Sequence, residues 1–172
     1  MSSRSVRPTA RTAARLRAAL AAAAVLGAAG VVYAATSSNA PGASCVAAGA
    51  GALSVRADGE AENLSAATVT AVCPAERPAG TDLTTKISAT AFVVDQSSTG
   101  NVCCKVASKN AGGALVQSAT VCSTGASSGY QALSLAEITD PYSFSHFYVQ
   151  CDVPAISGGL ASRIQMVRMV QP

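Results

Sequence analysis

Asn101-Val102-Cys103-Cys104-Lys105-Val106 is a short apolar run with two neighbouring cysteines at its centre. Successive side chains of a strand point to opposite faces, so Cys103 and Cys104 cannot serve one purpose. One faces a core and the other faces away from it. Their partners fix the register of the surrounding sheet.

Beyond Gly112-Gly113, a dipeptide suited to tight hairpins, Leu115 to Cys122 reads as a second strand. A hairpin centred on the two glycines sets Cys103 opposite Cys122, Cys104 opposite Val121 and Val106 opposite Ala119. Lys105 then meets Thr120 and Ala107 meets Ser118, so apolar and polar partners separate onto two faces. Opposed residues of an antiparallel pair lie ~4.5–5.5 Å apart at Cα, within reach of a disulfide. The expected bond is Cys103–Cys122, on the outer face. Cys104, facing the core, needs another inward cysteine. Phe147, Val149, Cys151 and Val153 form the inward set of a strand over Tyr142 to Val153, which gives Cys104–Cys151. Cys45–Cys73 follows by elimination. A redox thiol pair is the functional alternative, but adjacent strand positions are a poor exchange geometry. Zinc is the other, and there is no C-x-x-C pair and only one histidine, His146.

The first part of the chain is different in kind. Arg4, Arg7, Arg11, Arg15 and Arg17 precede an unbroken apolar run from Ala18 to Val32, and Val32-Tyr33-Ala34 offers a cleavage site. That is the pattern of a secretory signal peptide over residues 1–34, cleaved rather than kept as an anchor. No adjacent arginine pair marks a twin-arginine route, and Cys45 lies too far on for lipidation. Removing the signal changes the sign of the charge. The whole chain is +3, but five of its twelve basic residues leave with the signal, and seven then face nine acids for a net −2. No basic patch remains for nucleic acid. The mature chain is expected outside the cytoplasm, secreted, extracellular or periplasmic, with no membrane attachment. Its six cysteines suit an oxidising compartment.

Small and polar residues over 35–44 read as a flexible linker, and residues 45–172 as a single domain. Strand patterns recur at Leu53 to Arg56, Thr68 to Cys73, Thr84 to Asp95, Asn101 to Ser108 and Leu115 to Cys122. They continue at Tyr130 to Leu135, Tyr142 to Val153 and Leu160 to Val170. Pro74 should end the strand before it. In the last strand the spacing sets Ile164, Met166 and Arg168 on one face and Arg163, Val167 and Met169 on the other. No amphipathic helix follows the signal. Seven to eight strands separated by Gly, Pro and Ser turns predict an all-β fold, a disulfide-stabilised antiparallel β-sandwich of jelly-roll-like form.

Ala43-Ser44-Cys45, Val72-Cys73-Pro74, Val94-Asp95, Asn101-Val102-Cys103-Cys104 and Cys151-Asp152-Val153-Pro154 occur in that order. In this the chain resembles a group of uncharacterised secreted bacterial proteins with small cysteine-stapled β-domains. They share an early Cys, a Cys-Pro, a mid-chain Val-x-Cys and a late Cys-x-x-Pro. Cys104 matches the mid-chain position, and Cys103 and Cys122 are additional. The resemblance implies fold and export, and no activity.

Chemistry has few candidates. Nucleophile–histidine–acid catalysis would have to use His146, and no G-x-S-x-G turn is present. A carboxylate pair has no spacing signature for glycoside hydrolysis. Asp58, Glu60 and Glu62 form the densest acidic stretch, a weak Ca²⁺ candidate without the twelve-residue loop pattern. Asn63-Leu64-Ser65 matches the glycosylation pattern. Tyr142, Phe144, His146 and Tyr148 alternate along one strand face opposite Cys151, a row able to stack on a sugar or grip a protein. Burial of both faces is the plainer alternative. The leading expectation is an exported, non-catalytic β-sandwich, surface or structural protein or binding module, without cofactor, whose partner would be a glycan or a cell-surface protein. A small secreted hydrolase using His146, and an inhibitor presenting the Ser123 to Gly129 loop, are the alternatives.

Overall fold

The computed structural model describes residues 36–76, 86–142 and 144–171. The expected signal peptide lies outside them. Twelve strands occur among the described residues: β1 Thr36–Pro41, β2 Val46–Ala47, β3 Ser54–Val55, β4 Ala61–Glu62, β5 Val69–Ala75, β6 Lys86–Val94, β7 Cys103–Asn110, β8 Leu115–Gln117, β9 Val121–Cys122, β10 Gln131–Thr139, β11 Ser145–Val153 and β12 Arg163–Gln171. Seven of them, β1, β5, β6, β7, β10, β11 and β12, are six to nine residues long.

They form two antiparallel sheets. The first runs β10-β6-β12-β4-β3, with β1 also on β12, and the second runs β2-β5-β11-β7-β8, with β9 also on β7. From β5 onward each long strand crosses to the sheet opposite its predecessor, so the molecule is a jelly-roll-like β-sandwich. The core lies between the layers. Alternation supplies it, with Ile87, Ala89, Ala91 and Val93 from β6, and Phe147, Val149, Cys151 and Val153 from β11.

All three disulfides belong to the second sheet, as Cys45–Cys73, Cys103–Cys122 and Cys104–Cys151. Cys103 is the cross-strand partner of Cys122, and Cys104 of Cys151, with Cα separations of 4.0 and 4.1 Å. Cys104, Cys151 and Cys73 are fully buried, whereas Cys122 is exposed.

The hairpin reaches Cys122 by a different route from the one expected. Its loop is three residues, Ala111 to Gly113, closed by Asn110, whose N–H donates to the Ala114 carbonyl while its Oδ1 accepts the Ala114 N–H. Gly113 has φ 89°, the left-handed residue such loops require. Near the tip Ala107 therefore faces Gln117, not Ser118. Ser118 then faces Val106, donating its N–H to the Val106 carbonyl and accepting the Val106 N–H on Oγ. One extra residue before Val121 forms a bulge and restores the Cys104–Val121 and Cys103–Cys122 pairs.

Other bulges set the faces of two strands, and in one of them correct the expected alternation. β12 shifts register against β6 between Ile164 and Met166, so Ile164, Val167 and Met169 all face the core. The strict alternation that grouped Ile164 with Met166 and Arg168 fails there. β10 shifts between Leu135 and Ile138, and all of Leu133, Leu135 and Ile138 are buried.

In place of the flexible linker expected over 35–44, its described residues, 36–44, are ordered. β1 pairs with β12 from Thr36↔Gln171 to Pro41↔Met166, and a 3-10 turn, Gly42–Ser44, follows. A Cβ on Gly42 would stand 1.9 Å from the Ile164 carbonyl oxygen, so only glycine admits this approach. Nor does Pro74 end β5, which continues to Ala75. β2 begins only at Val46, opposite Val72, which leaves the β2 side of β5 unpaired at Pro74.

Candidate functional site

The outer face of the second sheet carries most of the chemistry. The pairing of β5, β11, β7 and β8 lays its side chains out in rows. Val72, Gln150 and Lys105 form one row, and Pro74, Tyr148, Ala107 and Gln117 the next. His146, Lys109 and Leu115 form a third, and Glu76 follows β5 at the same end. An open groove of about 750 Å³ crosses these rows, lined by Val46, Val72, Pro74, Glu76, His146 and Tyr148 among others. The rings of His146 and Tyr148 stack at 5.8 Å with 26° between their planes. Val46 is 63 % exposed. This face is open, so burial on both sides does not describe β11.

Only two of the four aromatic-row residues meet in the groove. β11 begins at Ser145, because the Asp140 carboxylate accepts the Tyr142 N–H and the Ser145 hydroxyl and turns the chain. Tyr142 and Phe144 instead line a separate hollow of about 370 Å³ with Pro141 and the hairpin residues Asn110, Ala111 and Gly112. Phe144 is 82 % exposed.

The groove's hydroxyls point to other work. Ser44 Oγ donates to the Pro41 carbonyl at 2.7 Å, and Ser145 donates to Asp140. Among the described residues the His146 ring has no hydrogen bond, and its contact is the stack on Tyr148.

The acidic stretch faces guanidinium groups. Arg56 lies 3.2 Å from Asp58, 3.5 Å from Glu60 and 3.2 Å from Glu62, and Arg163 makes a second ion pair with Glu60. Glu60 also accepts from Gln165 at 2.8 Å. Desolvation pushes the Asp58 carboxyl up, but the Arg56 hydrogen bond, the Glu60 backbone amide and the Arg56 charge together bring it below its ordinary value. Carboxylates neutralised in this way are poorly placed for Ca²⁺, which needs their oxygens free.

Asn63 is fully buried. Its amide nitrogen donates to the carbonyls of Ala67, Val153 and Pro154, and its Oδ1 accepts from Ser65. The nitrogen a glycan would need is held inside the fold.

Asp95, marked in the sequence only by the Val94-Asp95 motif, is the centre of a buried cluster. It is fully buried at the end of β6 and accepts the hydroxyls of Ser123 and Ser162 and the Ser97 N–H. It also binds the Val102 N–H at 3.4 Å. The carboxylate thereby ties together the segments flanking β7, β9 and β12, a structural role that saturates its oxygens. The only sequence signal was an acid closing the apolar run Phe92-Val93-Val94. The Ser123 to Gly129 loop is also held, since the Gln131 side chain accepts the Thr124 N–H and donates to the Gly125 carbonyl.

No protein-family model matches the chain, and no curated protein does. Among solved structures it is similar to a family two carbohydrate esterase from Cellvibrio japonicus, at 10 % identity and a TM-score of 0.44, over 81 % of this chain and 35 % of that one. It is also similar to an arabinose-bound MgGH51 α-L-arabinofuranosidase, at 14 % identity and 0.48, over 75 % and 23 %. The chain thus spans only a minor part of either enzyme. Neither likeness bears on what it binds.

Proposed function

We propose that the chain is an exported, non-catalytic binding module, one of the uncharacterised secreted bacterial β-domain proteins that its cysteine pattern resembles. Its ligand face is the groove over β5, β11 and β7, and its ligand is a carbohydrate. The observation that carries this reading is the stacked His146–Tyr148 pair in an open groove rimmed by Gln150, Lys109 and Glu76. An aromatic ring offers a sugar's apolar face a platform, and polar tips around it meet hydroxyls. Export is supported by three disulfides, which persist in oxidising compartments. Among the described residues no helix is long and apolar enough to cross a membrane.

Isothermal titration against a panel of soluble glycans tests the reading. One class should bind, and Tyr148→Ala should weaken it about tenfold, the loss of one stacked platform. Binding that survives both Tyr148→Ala and His146→Ala would place the ligand elsewhere. Release of reducing sugar or acid from a bound glycan would favour the hydrolase, and binding of a purified cell-surface protein alone would favour that partner.

A further inference from the structure

The cations of the described residues divide into two sets. Arg56, Lys86 and Arg163 are ion-paired, and Arg168 reaches the Ser37 hydroxyl. Lys105 and Lys109 have no acidic partner among the described residues. Both stand on the outer face of β7, four residues apart, which is ~13 Å along a strand. Ala107 lies midway between them, and its cross-strand partner on β11 is Tyr148. Tyr148, the platform of the groove, is therefore flanked on β7 by the positions of two lysines, with Ala107 fully covered between them.

Among the described residues, the acids of this face are Glu76 and Asp152, and neither pairs with these lysines. Glu76 stands beyond the end of β5, two strand spacings or ~10 Å from β7. Asp152 is opposite Cys103 and accepts the Thr70 hydroxyl at 2.7 Å. Lys109 thus lines the groove on its β7 side, Lys105 stands just beyond it as the cross-strand partner of the lining residue Gln150, and Glu76 lines the β5 side.

Resting on the binding reading above, we infer that the ligand is an acidic glycan, a uronate-containing oligosaccharide. Its ring stacks on Tyr148, its carboxylates meet Lys105 and Lys109, and its hydroxyls donate toward Glu76. Attraction for polyanions at large does not account for such binding, because the chain without its signal is net −2. The recognition is local to two side chains.

The test titrates the secreted protein with oligomers of galacturonic and glucuronic acid, and with the same oligomers after carboxyl reduction to neutral sugars. The acid forms should bind about tenfold more tightly, the effect of two exposed ion pairs, and the difference should shrink as salt rises. Lys105→Gln with Lys109→Gln should abolish that difference, and the paired Arg variants should keep it. Tyr148→Ala should weaken acid and neutral forms alike. Equal affinity for acid and neutral oligomers, with both glutamine substitutions silent, overturns the charge inference and leaves the binding reading standing. Failure of every glycan to bind the folded wild-type protein overturns both.

Discussion

Asn63 shows how a single side chain can mislead by its sequence context and yet be indispensable. Its amide donates to the carbonyls of Ala67, Val153 and Pro154, the last two where β11 ends. Leaving buried acceptors unpaired costs ~1–3 kcal/mol each, so Asn63→Ala should destabilise the fold by about 3 kcal/mol, measured by urea denaturation. The same burial predicts that mass spectrometry finds Asn63 unmodified when the protein is made in a glycosylating host. The Arg56 cluster shows the opposite case, an acidic stretch paired by Arg56 beside it and again by partners far along the chain. Arg163 and Gln165 meet Glu60 from over a hundred residues away, and no local spacing announced them.

At the scale of elements, bulges decide which face a residue takes. A one-residue slip moves every following side chain to the other face. The β7–β9 ribbon illustrates this, since the shift at its three-residue loop is undone by the extra residue between Ser118 and Val121. Deleting Ala119 should therefore remove the bulge and leave a regular ribbon, with Thr120 opposite Lys105 and Cys122 still opposite Cys103. Peptide mapping under non-reducing conditions should then find the Cys103–Cys122 bond intact, and a free or mispaired Cys122 would contradict this register. In β12 the shift between Ile164 and Met166 changes the inward set in the same way. The aromatic row breaks for a related reason, because Asp140 binds the Tyr142 N–H and the Ser145 hydroxyl before β11 begins.

For the whole molecule the three disulfides are unequal in access. They close separations of 28, 19 and 47 residues, for which loop entropy gives roughly 3–4 kcal/mol each. Cys104 and Cys151 are sealed between the sheets, whereas Cys122 is exposed on the outer face. Under a limiting dithiol reductant, Cys103 and Cys122 should be alkylated first while the fold persists. Cys104 and Cys151 should react only on unfolding. Differential alkylation with mass spectrometry reads the order, and simultaneous labelling of all six would contradict it.

Much of this architecture could be read from the chain. The adjacent pair Cys103-Cys104, with alternation in β6 and β11, was enough to assign two faces, two layers and the partners of the cysteines, because strand periodicity and hairpin closure are local properties. Alternation also put His146 and Tyr148 together. Tertiary structure alone decided the bulges, the ordered pairing of β1 with β12 and the separation of Tyr142 and Phe144 from the groove. It also decided that, among the described residues, Lys105 and Lys109 have no acidic partner while ion pairs neutralise Asp58, Glu60 and Glu62. The physical reason is that hydrogen bonds and charges, not strand periodicity, set these positions. Asp140 breaks the aromatic row locally, whereas the β1–β12 pairing and the Arg163–Glu60 contact come from residues distant in sequence, placed only once the sheets have packed.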